Sequence, residues 1–401
     1  MKFEGRLLGW LANSDARPHI PGLLSPPNRP LSLCLTVEAH DEGPFLVMRI
    51  IHFLNHVEAF NGHVNVAVDL ACLQAKLGHE VTVISGGGRF EPLLDANGVK
   101  HVRIDLSRRP LNLIRALYKL RGALSELNPE IVHTHMVASN ILAYALRPFM
   151  KFRLINTIHN EFDKSAIFMG LGDRAIAVSR AVATSMARRG IPESKLRVVI
   201  NGTTGSPRLS PELPQPKELK PPAIVFVGGM HPRKGVADLI AAFKIVGQAH
   251  ASAHLYLVGG GPFRETYEKQ AAETGFGDRI QFCRAQAEPR AYLLAADLFV
   301  LPSHAEPGGL VLTEAREAGC AIIATSVGGS PEMLDDGRAG LLVPAKRPDL
   351  LAEAMLKVLN DPVLQADLRS RARENVDYFK LDRVVQDYLS HYQELLSPAG
   401  R

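Results

Sequence analysis

Cysteine is scarce in this chain. Four residues among 401 (Cys34, Cys72, Cys283 and Cys320) are scattered, with no paired spacing of the kind a zinc site or a disulfide frame needs. Long apolar runs are missing as well: no uncharged stretch reaches the roughly 18 residues that span a bilayer. No basic-then-apolar leader stands at the N-terminus, so the expected location is the cytoplasm. Short-period repeats are absent. Neither sign of charge dominates, with 46 Lys and Arg against 41 Asp and Glu for a net +5, and no recognition motif accompanies the excess, so nucleic acid is not expected as a partner. What remains is the balance of a soluble globular protein, 46% apolar and 22% charged. The length implies about two domains.

The charge is uneven. Residues 100–153 carry Lys100, Arg103, Arg108, Arg109, Arg115, Lys119, Arg121, Arg147, Lys151 and Arg153 against Asp105, Glu126 and Glu130. Arg147-Pro-Phe-Met-Lys-Phe-Arg153 interleaves bases with aromatics and Met, which suits an inner-membrane surface contact or, equally, a solvated basic face. Residues 1–47 carry Pro18, Pro21, Pro26, Pro27, Pro30 and Pro44 with little periodicity. They read as a flexible Pro-rich extension or an over-extended gene start, with the folded enzyme expected to begin near Met48.

From Met48 the chain alternates. Buried-strand runs at 49–54, 80–85, 101–105, 130–135, 153–158, 174–178 and 196–200 are separated by helical patterns, one of them Val64 to Leu77, stopped by Gly78. Ser206 to Pro222, rich in proline, reads as a linker over 206–222. A second set of strands follows at 223–227, 254–258, 279–283, 297–301, 321–324 and 341–343. Such alternation implies doubly wound parallel sheets. The expected units are a first Rossmann-like domain over 48–205, a second over 223–375, and a C-terminal segment, 376–401, whose helix crosses back to the first domain. Two such halves imply a cleft with ligands beyond the carboxyl ends of the strands.

Glu306 and Glu314 lie eight residues apart in HAEPGGLVLTEAREAG, flanking Gly308-Gly309, after a strand pattern and before a helical one. A glycine turn opening a helix offers free backbone N–H groups to an anion. The two carboxylates could reach hydroxyls of the same ligand, as a sugar nucleotide would require. Alone, Glu314 could serve the helix dipole and Glu306 be a solvated loop residue. Val227-Gly-Gly-Met-His-Pro-Arg-Lys-Gly235 sets Arg233 and Lys234 just before a helix near Val236, where they can neutralise a diphosphate. Leu257-Val-Gly-Gly-Gly-Pro262 also ends a strand. His133 and His135 share one strand face; metal ligation by them is not expected, for want of a third ligand, and they are expected to line the cleft floor.

Taken in order, these motifs resemble a family-4 retaining glycosyltransferase of the GT-B fold over residues 48 to about 395. The matching elements are Asn61-Gly62, Pro129-Glu-Ile-Val-His-Thr-His135, Thr157-Ile-His159, Ala177-Val-Ser179 and Val199-Ile-Asn-Gly202, then Arg233-Lys234-Gly235 and Gly259-Gly-Gly-Pro262. Pro302-Ser303, Glu306 to Glu314, Gly328-Gly-Ser-Pro-Glu332 and Gly340-Leu-Leu-Val-Pro344 complete them. The resemblance implies two Rossmann-like domains facing across a cleft. It implies transfer of a hexose-type sugar from a UDP-, GDP- or ADP-sugar, with no cofactor and no metal; the basic stretch points to a glycan or lipid-linked acceptor, as in cell-surface polysaccharide assembly. By the same resemblance Glu314 holds the donor ribose and Glu306 a hydroxyl of the transferred sugar. The amides near Gly308, Gly309 and Leu310, with Arg233 and Lys234, hold the diphosphate; His159 faces the donor sugar; Gly62 keeps the first loop slim. Two departures stand out: Gly229 where the family commonly has Arg, and Arg284 where a glycine often lies near the base. A non-catalytic sugar-nucleotide-binding subunit and a sugar-nucleotide 2-epimerase are the rival readings.

Overall fold

The computed structural model describes residues 47–106 and 110–397. The Pro-rich extension up to Leu46, Cys34, Arg108 and Arg109 lie outside the described residues.

Each domain is built on central strands buried on both faces, which explains their nearly continuous Val, Ile and Leu runs. The first sheet contains β1 (Arg49–Phe53), β2 (Glu80–Ser85), β3 (Lys100–Arg103), β4 (Ile131–Thr134), β5 (Arg153–Ile158), β6 (Arg174–Ala177) and β7 (Leu196–Val198). The second contains β8 (Ala223–Val227), β9 (His254–Val258), β10 (Ile280–Cys283), β11 (Leu298–Leu301), β12 (Ile322–Thr325) and β13 (Leu341–Val343). The orders are β3-β2-β1-β4-β5-β6-β7 and β10-β9-β8-β11-β12-β13, with every pair parallel. Both are doubly wound sheets of Rossmann type. Their strand order reverses beside β1 and β8, where such sheets open a crevice beyond the carboxyl ends of the strands.

The first sheet is covered on both sides. One face packs on the helix Gly62–Lys76, through Val64, Val68 and Leu70, and on the C-terminal helix Leu381–Leu396. That last helix buries Leu381, Val384, Val385, Tyr388, Leu389, Tyr392 and Leu395, the spacing of a single apolar stripe. It reaches the first domain from the second through a short crossing, where Thr203 N donates to Phe379 O and Leu381 N to Thr204 O. The opposite face packs on the helices Pro110–Leu127 and Val137–Leu146 through Ala116, Leu120 and Ala143. The second domain closes around Phe226, Phe243 and Phe299.

The Pro-rich segment between the domains is tied to both. Ser206 Oγ donates to Asp69 in the first domain, and Arg208 makes a two-point pair with the same carboxylate at 2.8 Å. Farther on, Lys217 N bonds to Ala291 O and Lys220 N to Tyr256 OH in the second domain.

Candidate active site in the cleft

Between the carboxyl ends of the two sheets lies a cavity of about 850 Å³ lined by both domains. From the first domain come Gly62, His63, Asn65, His159 and Asn201; from the second come Gly229, Arg233, Lys234, Gly260, Glu306, Gly308, Gly309, Leu310 and Glu314. Lys234 and Glu314, 80 residues apart in sequence, thus border one space.

The geometry follows from the turns. After β8 the chain makes a short helical turn, Pro232–Lys234, ending at Gly235 with φ +66°. A side chain there would collide with the Pro302 carbonyl, so glycine lets this turn dock on the loop after β11. The docking is held by His304 N donating to Arg233 O at 2.7 Å and His304 Nε2 beside Asp238 at 2.7 Å. Lys234 Nζ is thereby brought 2.5 Å from Glu306 Oε2, which also accepts from Ser303 Oγ at 3.0 Å. Arg233 lays its guanidinium 5.1 Å from the ring centre of Phe162, a first-domain residue.

The helix Leu310–Ala318 starts from Gly309 at φ +32°, with no side-chain cap. Its first amides are available to a ligand. Across the cleft, the helix Gly62–Lys76 also begins without a side-chain cap, and a Cβ on Gly62 would rest against Leu310. Two helix N-termini from opposite domains therefore meet at the cavity, both favouring negative charge. The sequence pattern placed the first helix at Val64; the structure starts it at Gly62, which puts the extra amides at the site. Gly308 sits where a Cβ would crowd Val178 and the Asn201 amide of the first domain.

Glu314 lies in the second turn of its helix and has no hydrogen-bonded partner among the described residues. Burial pushes its carboxyl up to about 7, against the opposing pull of Arg208 and with reinforcement from Glu288 and Glu317. Arg208, buried at its Asp69 pair, also lines the cavity. Sequence reading missed it because the surrounding prolines pointed only to a linker. Asn65 Oδ1 and Asn201 Oδ1 are buried at the cavity without a protein partner among the described residues. The Val199-Ile-Asn-Gly202 motif was the available signal for Asn201.

His159 sits at the cavity wall with Nε2 3.1 Å from His135 Nδ1, and burial holds its imidazole well below the ordinary range. His133 and His135 were expected to line the cleft floor. They do not reach it: both are fully buried beneath, in contact with His52. The two share a strand face, as a period of two requires, but that face lies deep below the cavity. His52, His133 and His135 have ring nitrogens within 4.8 Å of one another. Those nitrogens are already engaged. His52 bonds to His135 at 2.9 Å and Gln74 at 2.8 Å, and His133 to Tyr392 at 2.6 Å and Thr157 at 2.7 Å. A metal ion would have to break these bonds, so the donor set fits a hydrogen-bonded cluster better than a cation.

Beyond β10, Ala285, Gln286 and Ala287 border the cavity, whereas Arg284 is exposed and does not. In the basic segment, Arg103 is paired with Glu91 and Arg147 with Asp173. Acids outside 100–153 thus offset part of its charge.

Two family models match the chain: Glycosyltransferase Family 4 over residues 60–204 and Glycosyl transferases group 1 over residues 212–375. Among curated relatives, N-acetyl-alpha-D-glucosaminyl L-malate synthase of Bacillus anthracis is 26% identical over 357 residues, covering 82% of this chain and 93% of its own. The lipopolysaccharide core biosynthesis glycosyltransferase LpsE of Rhizobium meliloti is 30% identical over 169 residues, 42% of this chain and 48% of its own. Among solved structures, Anabaena Alr3699/HepE, determined with UDP and glucose, superposes with a TM-score of 0.76 at 18% identity, covering 87% of this chain and all of the other. That likeness is one of fold.

Proposed function

The chain belongs to the family-4 glycosyltransferases of GT-B fold, and we propose that it moves a hexose-type sugar, with retention and without a metal, from a nucleoside diphosphate sugar to a glycan or lipid-linked acceptor. The observation that carries this reading is the convergence of Lys234, Glu306, Glu314 and His159 on one cavity where two helix N-termini meet.

The departing group is a nucleoside diphosphate, so the main task is to stabilise charge growing on the bridging phosphate oxygen. The amides of Gly309 and Leu310, with Arg233 and Lys234, would supply fixed positive ends aimed at that oxygen. One preorganised donor of this kind is worth roughly 2.7–4 kcal/mol. Glu314 would accept the ribose hydroxyls, and Glu306 a hydroxyl of the transferred sugar. His159 would face that sugar from the other domain, with Gly62 leaving room for phosphate and acceptor. Glu306 is already engaged by a lysine and a serine, which suits a positioning carboxylate and not the free nucleophile of a retaining glycosidase. Retention would follow from attack on the face the phosphate leaves, with that phosphate taking the acceptor's proton.

The donor nucleotide is of UDP, GDP or ADP type. Polysaccharide assembly is supported by what the relative LpsE is named for. A peripheral contact with the inner membrane face is supported by Tyr118 on the helix Pro110–Leu127 and Phe149 in the turn after the helix Val137–Leu146, 79% and 73% exposed and close in sequence to Lys119, Arg121 and Lys151. Gly229 at the cavity, in place of a cation, is the observation that favours a non-catalytic sugar-nucleotide-binding subunit.

The test is turnover with a panel of sugar nucleotides. Lys234→Ala and Glu306→Ala are expected to lower kcat by on the order of 10²–10³ while the circular dichroism spectrum is unchanged, and EDTA is expected to leave the wild-type rate intact. Either variant with near-normal kcat removes that residue from the mechanism. Donor binding without transfer to any acceptor would support the binding-subunit reading, and conversion of donor alone to an epimer would support the epimerase.

A further inference from the structure

Three imidazoles form a hydrogen-bonded line from the interior to the cleft. His52 Nε2 lies 2.8 Å from Gln74 Oε1, His52 Nδ1 lies 2.9 Å from His135 Nε2, and His135 Nδ1 lies 3.1 Å from His159 Nε2. Neighbouring rings are nearly parallel, 24° apart for His52 and His135 and 28° for His135 and His159. The remaining nitrogen, His159 Nδ1, has no protein partner among the described residues, and its ring borders the cavity.

We propose that this line, anchored on Gln74, sets the tautomer of His159 and presents its Nδ1 to the cleft as a hydrogen-bond acceptor. The inference rests on the reading of His159 as a contact of the donor sugar. A neutral imidazole has one N–H and one lone pair. In a closed line of three, the choice at the inner end therefore fixes every ring after it. Gln74 Oε1 can only accept, so His52 carries its hydrogen on Nε2. His52 Nδ1 then accepts from His135 Nε2–H, and His135 Nδ1 from His159 Nε2–H. Nδ1 of His159 is left with a lone pair, suited to a sugar hydroxyl that donates.

The Gln74 amide has two orientations, and a second branch selects between them. Its Nε2 faces Tyr392 OH at 3.4 Å, and the same hydroxyl lies 2.6 Å from His133 Nδ1. That short separation suits a hydroxyl hydrogen donated to nitrogen. Tyr392 then has lone pairs for Gln74 Nε2–H, which turns Oε1 toward His52. His133 passes its own hydrogen from Nε2 to Thr157 at 2.7 Å, and Thr157 meets Tyr388 at 3.1 Å. Both tyrosines belong to the helix Leu381–Leu396, so a helix from the far end of the chain orients a group at the cleft wall. Burial also keeps the rings uncharged, with His52 pulled down to about 4 and His133, His135 and His159 held well below the ordinary range. A proton from solvent does not erase the ordering near neutral pH.

The test uses the full chain labelled with ¹⁵N at histidine, with His159 assigned by its loss in His159→Asn. Wild type is expected to show a pyridine-type Nδ1 and a pyrrole-type Nε2 at His159. Gln74→Met, which keeps the volume and removes the anchor, is expected to mix the two tautomers. It should also raise the donor KM or lower kcat by between about ten- and a hundredfold, taking as the scale the loss seen when an orienting partner of a metal-bound histidine is removed. Gln74→Glu restores an acceptor at His52 and is expected to restore the wild-type pattern. If Gln74→Met does not fold, Tyr392→Phe removes the orienting hydroxyl without adding volume and should mix the tautomers in the same way. A pyrrole-type Nδ1 in wild type, or an unchanged His159 pattern in Gln74→Met or Tyr392→Phe, overturns the proposal. The spectrum does not depend on activity, whereas full activity of His159→Ala would defeat the donor contact alone.

Discussion

Glu306 accepts from Lys234 and Ser303, whereas Glu314, eight residues later, is buried at the same cavity with no donor among the described residues. The protein spends stability on that second carboxylate. An unfolded glutamate titrates near 4.5 and the folded one near 7, so folding takes up a proton between those values. The stability belonging to the protonated group is complete below about pH 4.5 and is lost as pH rises through about 7. Glu314→Gln cannot ionise. It is therefore expected to match wild type in unliganded stability near pH 4 and to exceed it at pH 8 by on the order of 3 kcal/mol. Urea unfolding at the two pH values measures this; a variant equally or less stable than wild type at pH 8 would mean the carboxylate has a compensating partner. Its loss should also weaken donor binding, which would explain why an unfavourable ionisation is kept.

At the level of elements, the loops after β8 and β11 and the start of the helix Gly62–Lys76 form the site, and a further helix end joins the two halves. Glu332, on the short helix Ser330–Met333 of the second domain, accepts from Arg180 N and Ala181 N, both at 3.0 Å, at the start of the helix Arg180–Arg188 in the first. Ser179 supplies the remaining cap by accepting from Val182 N. One domain thus caps a helix of the other, which links their approach to the satisfaction of otherwise free amides. Removing a capping side chain typically costs about 1 kcal/mol. Glu332→Ala is expected to lower stability by that amount in urea and to weaken donor binding, because the cleft closes less firmly. An unchanged midpoint and an unchanged Kd together would show that the contact is idle.

For the molecule as a whole, the strands were legible because burial on both faces leaves a run of Val, Ile and Leu that needs no tertiary information to be seen. Strand ends moved by a residue or two, as at β4, where His135 falls just past the last paired residue. The turn holding Lys234 and Glu306 together was legible as motifs, since glycine at 235 and at 309 is demanded by local backbone geometry. Depth and long-range pairing were not. Nothing local marks Arg208 as the partner of Asp69, 139 residues away, or Gln74 as a neighbour of Tyr392, 318 residues on. These pairs exist because the C-terminal helix and the linker return to the first domain, and which residues meet there is visible only in the assembled chain. The account stands on a single diphosphate held between the domains. A crystal structure with a bound nucleoside diphosphate sugar tests it most directly. The expected result places the diphosphate within hydrogen-bond distance of the Gly309 and Leu310 amides and of Lys234, with Glu314 on the ribose; a nucleotide held by one domain alone, away from Lys234 and Glu314, would contradict it.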